Sequence, residues 1–152
     1  MVVNVPEAVA AALTTPVEVG VPTQMFPFLT VDDAGAPHCA VVSSTEVAVA
    51  DDGTKLFLVL GGRRSRSYLE ASGRATLLAV EGTTLHTLKL TLVASREHDG
   101  VFAAALQVAD HQADSLGIAL VPLGFTPPPD IAERERWDVT VAALAAIRHQ
   151  RS

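Results

Sequence analysis

The sequence predicts a mainly β fold, a small six-stranded antiparallel barrel with short flanking helices. Short apolar or alternating segments, separated by turn residues, run through much of the chain, as they do in all-β proteins. They do not alternate with helices, which a doubly wound parallel sheet would require. With 152 residues the chain is long enough to bury a core as a single domain. No run approaches the roughly 20 apolar residues of a membrane span.

The first third of the chain predicts one helix followed by a meander of strands. Pro6 suits the first turn of a helix that continues through residues 8–13. Residues 25–31 form a strand candidate, which Pro27 assigns to a sheet edge or a bulge because proline donates no ladder hydrogen bond. A turn rich in aspartate, glycine and proline then leads into one long strand over residues 38–49. We expect these strands and the next one to pair as consecutive antiparallel neighbours.

The segment that follows predicts a strand, a glycine turn, a short helix and another strand. The uninterrupted apolar run 56–60 has the length of a buried strand and is too short for a helix. Beyond two glycines, Ser67 and Glu70 have the spacing of a capping box. We therefore expect a helix to begin at Ser67 and to end near Gly73. An apolar strand over residues 74–80 comes next.

Between that strand and that helix, five residues combine positive charge with hydroxyl groups: Arg63, Arg64, Ser65, Arg66 and Ser67. A helix that begins here directs its free N–H groups and the positive end of its dipole toward the same residues. A guanidinium group pairs with two phosphate oxygens at once, and a hydroxyl donates a hydrogen bond. We interpret the cluster as a phosphate site. The alternative is a solvated surface turn that keeps an acidic protein in solution.

The second half of the chain begins with the clearest period in the sequence. Leu88, Leu90 and Leu92 alternate with threonine and lysine, which places the leucines on one face of a strand. Asp99 is suited to cap a helix, and apolar residues at helical spacing predict that this helix continues to about residue 113.

The C-terminal part predicts a sixth strand over residues 118–123 and a final helix. Trp137, Val141 and Leu144 recur at helical spacing, so we expect them to form the core-facing stripe of that helix. The basic residues at its end suit the negative end of the helix dipole: Arg148, His149 and Arg151.

Composition restricts the classes of partner. The formal net charge of −6 argues against a general nucleic-acid binder, which needs a broad basic surface. Cys39 is the only cysteine, so the chain has no internal disulfide and fits a reducing cytoplasm. The N-terminal residues lack the basic and then apolar order of a signal peptide. We therefore expect a cytoplasmic protein without a membrane anchor.

The remaining chemical groups give weak signals. The five histidines show no spacing typical of metal ligands, so we expect no metal site. His86 and His111 are candidates for a single axial haem ligand, although we expect both at the surface. Ser43, Ser44 and Ser65 lack the context of a catalytic serine, and no histidine and acid accompany them in a recognisable order.

Several segments together resemble a known family. They are the strand opening at residues 35–38, the apolar strand 56–60, the arginine–serine cluster, Leu69 and the run 72–74. Their order is similar to that in the pyridoxamine 5'-phosphate oxidase-like family of FMN-binding split barrels, over roughly residues 25–94. The resemblance implies a single split-barrel domain over residues 1–152, forming a homodimer with FMN in each of two clefts between the subunits.

The resemblance also implies roles for individual residues. The FMN phosphate would be held by the cluster Arg63, Arg64, Ser65, Arg66 and Ser67. The isoalloxazine ring would lie against the backbone of two strands, at Val59 and Leu60 and at Val42 and Ser43. The implied activity is that of a flavin-dependent oxidoreductase acting on a small molecule that the sequence does not identify.

Two departures from the family pattern leave alternatives open. Ser65 stands where the family often has lysine or arginine, and the C-terminal ending typical of the vitamin B6 oxidases is missing. Related branches bind deazaflavin, haem or no cofactor. The sequence is therefore compatible with an enzyme, with a non-catalytic binding protein of the same fold, and with a cofactor-free dimeric scaffold.

Overall fold

A computed structural model describes residues 2–150, and the elements given below lie within that range. The strands are β1 (Thr23–Gln24), β2 (Phe26–Val31), β3 (Pro37–Val42), β4 (Val47–Val49), β5 (Lys55–Leu60), β6 (Arg74–Glu81), β7 (Thr84–His98), β8 (Val101–Ser115) and β9 (Gly124–Phe125). The helices are α1 (Glu7–Thr14), α2 (Arg63–Ser72), α3 (Ile131–Arg134) and α4 (Trp137–Arg148), with a 3-10 helix at Ser44–Glu46.

The main sheet is antiparallel throughout, in the order β3-β2-β6-β7-β8-β5-β4. Its two edge strands, β3 and β4, contribute Val42 and Val47 to one core that also contains Phe28 and Leu58. The sheet therefore curls around a shared interior. This confirms the mainly β, split-barrel class, with seven strands in the main sheet instead of six.

A second, smaller core lies on the outer side of the sheet. There α4 packs Ala143, Leu144 and Ile147 against Phe57 of β5 and Ala103 of β8. The buried stripe of α4 thus runs through Leu144 and Ile147. Our expectation that Trp137 and Val141 share that stripe was wrong: Trp137 is half-buried and Val141 is exposed. Arg151 lies outside the described residues.

The strand predicted over residues 38–49 is broken, and the predicted meander was wrong. The 3-10 helix Ser44–Glu46 interrupts it, so that β3 pairs with β2 and β4 pairs with β5 at the opposite edge of the sheet. Glu46 accepts hydrogen bonds from the Ser43 N–H and hydroxyl, at 3.1 and 3.0 Å, and this local bonding competes with a continuous ladder.

The helix predicted from Asp99 to about residue 113 was also wrong. Asp99 and Gly100 form the turn of a long hairpin, and β8 follows. Along β8, Phe102, Ala104 and Leu106 face the barrel core, whereas Ala103 and Ala105 face α4. A strand buried on both faces has no polar alternation, and alanine is a good helix former, so the local pattern resembled a helix.

Two smaller predictions also failed. Residues 118–123 form no regular strand and are exposed. Strand β2 is internal, with β3 on one side and β6 on the other. Pro27 is tolerated because β6 pairs only with Phe28 and Leu29, so the proline lies where β2 has β3 as its sole partner.

Other predictions hold. Helix α1 begins directly after Pro6. The hairpin between β2 and β3 is closed by Asp32, whose Oδ1 accepts the N–H groups of Ala34 and Ala36 at 2.9 Å each. Leu88 and Leu90 point into the barrel core, as their alternation predicted. Within residues 2–150, no helix has the length and apolarity required to cross a bilayer.

Candidate functional site

The arginine–serine cluster forms the first half of α2. Gly62 occupies the N-cap position and no side chain caps the helix there. The prediction that the helix begins at Ser67 with a capping box was wrong by one turn. The glycine itself serves as N-cap, and Glu70 pairs instead with the Arg66 side chain at 2.9 Å. Gly73 ends the helix in the left-handed conformation, at φ 69°, as predicted.

Arg63 and Arg64 are the exposed cations of this helix start. Neither forms an ion pair among residues 2–150. They lie on the first turn, where backbone N–H groups have no intrahelical acceptor and the dipole is positive. Ser67 follows Arg63 by four residues and shares its exposed helix face. These three side chains are all accessible to an anion.

The Arg66 side chain is paired with other residues of the protein. Its guanidinium binds Glu70 and Glu97 and lies 4.7 Å from the centre of the Phe102 ring. The hydrogen bonds to Glu97 and then Glu70 raise the pKa of Arg66 further above its ordinary value. This side chain joins α2 to the β7–β8 hairpin, so it is not free to neutralise a phosphate.

Ser65 points inward. It is 2% exposed and shares the buried side of α2 with Leu69. The cluster is therefore divided by the helix into an outer set, Arg63, Arg64 and Ser67, and an inner residue. A lysine or arginine at position 65 would start from the buried side of this helix, whereas serine fits there without a charge to solvate.

A cleft of about 280 Å³ lies beside the start of α2, between the end of β5 and the α3–α4 region. Val59, Leu60 and Gly61 line one side of it, and the α3–α4 side carries both cationic and acidic side chains. The two β5 side chains point in opposite directions, Leu60 into the barrel core and Val59 toward α4. Gly61 then connects the cleft directly to Gly62 and the first turn of α2. The apolar strand end that lines the cleft is thus continuous along the chain with the helix turn that carries Arg63 and Arg64, although neither arginine lines the cleft itself.

Val42 ends β3 and Ser43 follows it, and neither residue lines the cleft. Val42 is buried in the barrel core, whereas Ser43 donates hydrogen bonds to Glu46, which does line the cleft. Burial raises the pKa of Glu46 above its ordinary value, against the opposing effect of the Ser43 hydrogen bonds. Glu46 is a titratable group of the cleft that sequence reasoning missed.

Comparison with known proteins identifies the architecture. No family model and no curated protein sequence matches this chain. Solved structures do match. The fold is a split barrel. An F420 reductase superposes with a TM-score of 0.53 at 11% identity, over 71% of this chain and 98% of the reductase.

Two further structures show the same architecture. The flavin reductase of a styrene monooxygenase from Pseudomonas putida S12 superposes with a TM-score of 0.52 at 10% identity, over 70% of this chain and 93% of its own. A HupZ protein of Group A Streptococcus superposes with a TM-score of 0.54 at 12% identity, over 72% of this chain and 98% of its own. At these identities the similarity establishes the split-barrel fold alone.

Two arginines line the cleft on the α3–α4 side, Arg134, which pairs with Asp130, and Arg136. Arg136 forms no ion pair among the described residues and adopts a left-handed backbone conformation at φ 50° as the N-cap of α4. This conformation is uncommon for a residue other than glycine and occurs often at functional positions. The sequence held no signal for Arg136, because it is far along the chain from the arginine cluster.

The structure places His86 and His111 in contact, and one of them is not at the surface as we expected. His86 is buried, so its assignment to the surface was wrong. Its Nδ1 lies 2.9 Å from Nε2 of half-buried His111 on the neighbouring strand, and its Nε2 lies 3.4 Å from Glu81. Cross-strand pairing between β7 and β8 creates this contact, which sequence spacing does not show. No group of three or more metal-ligating side chains is present among residues 2–150.

Proposed function

We propose that this protein binds a phosphate-bearing flavin, FMN, at the cleft beside the start of α2, and acts as an oxidoreductase on a small molecule. The observation that carries the proposal is that the apolar strand end lining the cleft, residues 59–61, continues directly into a helix N-terminus without a side-chain cap. The first turn of that helix carries two exposed arginines, Arg63 and Arg64. The split-barrel fold, which it shares with flavin and F420 reductases, supports the proposal at the level of architecture.

The phosphate end fits the residues that are present. Arg63 and Arg64 would supply charge-assisted hydrogen bonds, and the free N–H groups of the first turn would donate to the remaining oxygens. The Ser67 hydroxyl lies on the same exposed face as Arg63. Ser65 and Arg66 are not part of this proposed phosphate shell, since one is buried and the other is paired.

The ring end of the ligand would lie against Val59, Leu60 and Gly61, where apolar side chains and strand backbone exclude water. Bound flavin supplies electron and hydride transfer, while the protein binds and orients it. Arg136 would add positive charge to the cleft wall. Two carboxyl groups, those of Glu46 and Glu135, line the same cleft. Burial raises the pKa of Glu46, so this group is suited to hold a proton there.

We further propose that a second copy of the chain completes the cleft. The volume of the cleft in one chain, about 280 Å³, is at the lower limit of small-molecule pockets, which span roughly 300–1,000 Å³. An apolar segment formed by residues 116–123 is exposed elsewhere on the protein and would be covered in such a homodimer. A wall from the partner subunit would enclose the ring of FMN.

A second candidate function is that of a dimeric scaffold without a flavin. The buried Ser65 and the paired Arg66 favour it, because they leave fewer cations for the phosphate than the family pattern implies. The absorption spectrum of the protein distinguishes the candidates. A flavin absorption spectrum, together with release of FMN when the protein is denatured, supports the proposal. A Soret band would assign haem instead.

Binding of FMN and of riboflavin, which lacks the phosphate, provides the decisive test. We expect the double variant Arg63→Ala/Arg64→Ala to weaken FMN binding about tenfold or more, because it removes two charge-assisted contacts. Riboflavin binding should change less than about twofold. Titrations that follow the quenching of flavin fluorescence measure both affinities.

The matched control is Arg96→Ala, which removes an exposed arginine on β7 that forms no ion pair among the described residues. It should leave both affinities unchanged. Equal losses for FMN and riboflavin in the double variant would show that these arginines do not hold the phosphate. If the unmodified protein binds neither ligand, the flavin proposal is wrong, and a dimeric scaffold without a flavin is the function that remains.

A further inference from the structure

A second and larger cavity lies on the side of the main sheet that faces away from the barrel core. It is a groove of about 520 Å³ across β2, β6, β7 and β8. This volume falls within the range of small-molecule sites. The register of β7 and β8 shifts between Lys89 and Leu90, so that β8 carries an extra residue at Ala109. Such a bulge bends a strand locally, which accounts for a concave surface on an outer sheet face.

Alternation along the strands explains which side chains reach the groove. Ala75 and Leu77 of β6 and Leu88 and Leu90 of β7 are buried in the barrel core. Their neighbours along each strand therefore project to the opposite side of the sheet. The polar side chains that line the groove are Arg74, Thr76, Lys89, Thr91 and Asp110.

The register places these groups close together. Arg74 is opposite Thr91, Thr76 is opposite Lys89, and Lys89 is opposite Asp110. Arg74 and Lys89 are diagonal neighbours, a relation that separates residues by about 7–8 Å. Among residues 2–150, none of the three charged side chains forms an ion pair. The groove thus carries two unpaired cations and one carboxylate in a chain whose net charge is −6.

The wall next to the cations is apolar. Leu29, Val31 and Pro37 line the groove from β2 and β3. Thr30 is 2% exposed and follows Phe28 by two residues, so its side chain faces the barrel core and not the groove. Two cations beside an apolar wall are the components of a site for an amphipathic anion.

We propose that this groove binds a small organic monoanion, a carboxylate or sulfonate carried on an apolar body. The anionic group would lie between Arg74 and Lys89, and the apolar body would contact Leu29, Val31 and Pro37. Asp110, next to Lys89, disfavours ligands with more than one negative charge. The site is separate from the proposed phosphate site, because α2, about 15 Å long, has Arg63 at its start and Arg74 just beyond its end.

Two fluorescent probes test the proposal: 8-anilinonaphthalene-1-sulfonate, an apolar monoanion, and N-phenyl-1-naphthylamine, its neutral analogue. Arg74→Gln and Lys89→Gln should each weaken sulfonate binding about threefold to tenfold, whereas Asp110→Asn should strengthen it by a similar factor. Binding of the neutral probe should stay unchanged in the three variants. These positions are on the protein surface, so the variants should fold, and circular dichroism checks this.

Arg96→Gln is the matched control and should change neither affinity. Backbone amide shifts in nuclear magnetic resonance spectra should place the bound sulfonate at β2, β6 and β7. Shifts confined to residues 116–123, or identical sulfonate affinities in all variants, would overturn the proposal. The Arg63→Ala/Arg64→Ala variant should retain sulfonate binding while it loses FMN, so this site and the proposed flavin site succeed or fail separately.

Discussion

Individual side chains of the arginine cluster differ in role because their partners differ. Arg63 and Arg64 are exposed without an ion pair among the described residues, whereas Arg66 binds two glutamates and stacks on Phe102. Ser65 is buried beneath them. Four adjacent residues of similar apparent function in the sequence therefore divide into ligand candidates, a structural cross-link and a core residue. The helix geometry makes the division, since successive residues are rotated by about 100°.

Glu46 leads to a prediction about pH. Burial raises the pKa of its carboxyl in the folded protein above the ordinary value of 4.5. The folded state therefore binds this proton more tightly than the unfolded state, so protonation of Glu46 stabilises the fold. That contribution is present below about pH 4.5 and is lost as the pH rises through the folded-state pKa.

We expect Glu46→Gln, which stays uncharged, to escape this loss. The difference in free energy of unfolding between the variant and the unmodified protein should shift in favour of the variant between about pH 4 and pH 7. Urea denaturation at several pH values measures it. Glu133→Gln, at an exposed position on α3, should give no such trend. If the difference in unfolding free energy between the two proteins stays constant with pH, burial does not destabilise the ionised form of Glu46.

At the scale of elements, β8 determines how the outer layer packs. Its alternating side chains fill the barrel core on one face and contact α4 on the other. On the α4 side these side chains are Ala103 and Ala105, and small residues allow a helix to approach a sheet closely. The same alanines misled the sequence interpretation, because a strand in contact with two cores lacks the polar alternation of a surface strand.

Ala103→Leu tests this packing. Ala103 is fully buried against α4. Three added carbon atoms would push the helix away from the sheet, so we expect the free energy of unfolding to fall by about 1–3 kcal/mol. Chemical denaturation measures the change. Ala113→Leu, at an exposed position of the same strand, should cost less than about 0.5 kcal/mol, and equal costs at both positions would contradict the packing described above.

At the scale of the whole molecule, the exposed apolar segment 116–123 is a candidate for burial by a second copy. Leu116 and Val121 are 90% and 94% exposed, and Ile118 and Leu123 are exposed as well. Leu116→Asp/Val121→Asp should convert the proposed dimer into a monomer of about 15.9 kDa, which light scattering coupled to size-exclusion chromatography measures. FMN affinity should fall in parallel if the partner subunit encloses the cleft.

Val2→Asp is the control, because Val2 is also exposed but lies outside this segment. It should leave the molar mass unchanged. A mass of 15.9 kDa for the unmodified protein would remove the dimer from the proposed function. The phosphate prediction for Arg63 and Arg64 would still stand, because those residues lie on one chain.

The amino-acid sequence by itself determined the fold class and several of the strands. Leu88 and Leu90 alternate with polar residues, and the run 56–60 is flanked by turn residues, so local patterns are sufficient for them. It also located the arginine cluster, because three arginines within four positions stand out in an acidic chain. These features depend on neighbours along the chain, and sequence periodicity reports such neighbours directly.

Only the tertiary structure decided which cluster residues face outward, where α2 begins, and that β8 is a strand. It also brought Arg136 to the cleft, His86 to His111, and Arg74 to Lys89 in a groove. Each of these outcomes depends on pairing between strands or on packing between elements distant in sequence. Such contacts override local propensity, since burial on two faces and cross-strand register are properties of the assembled sheet.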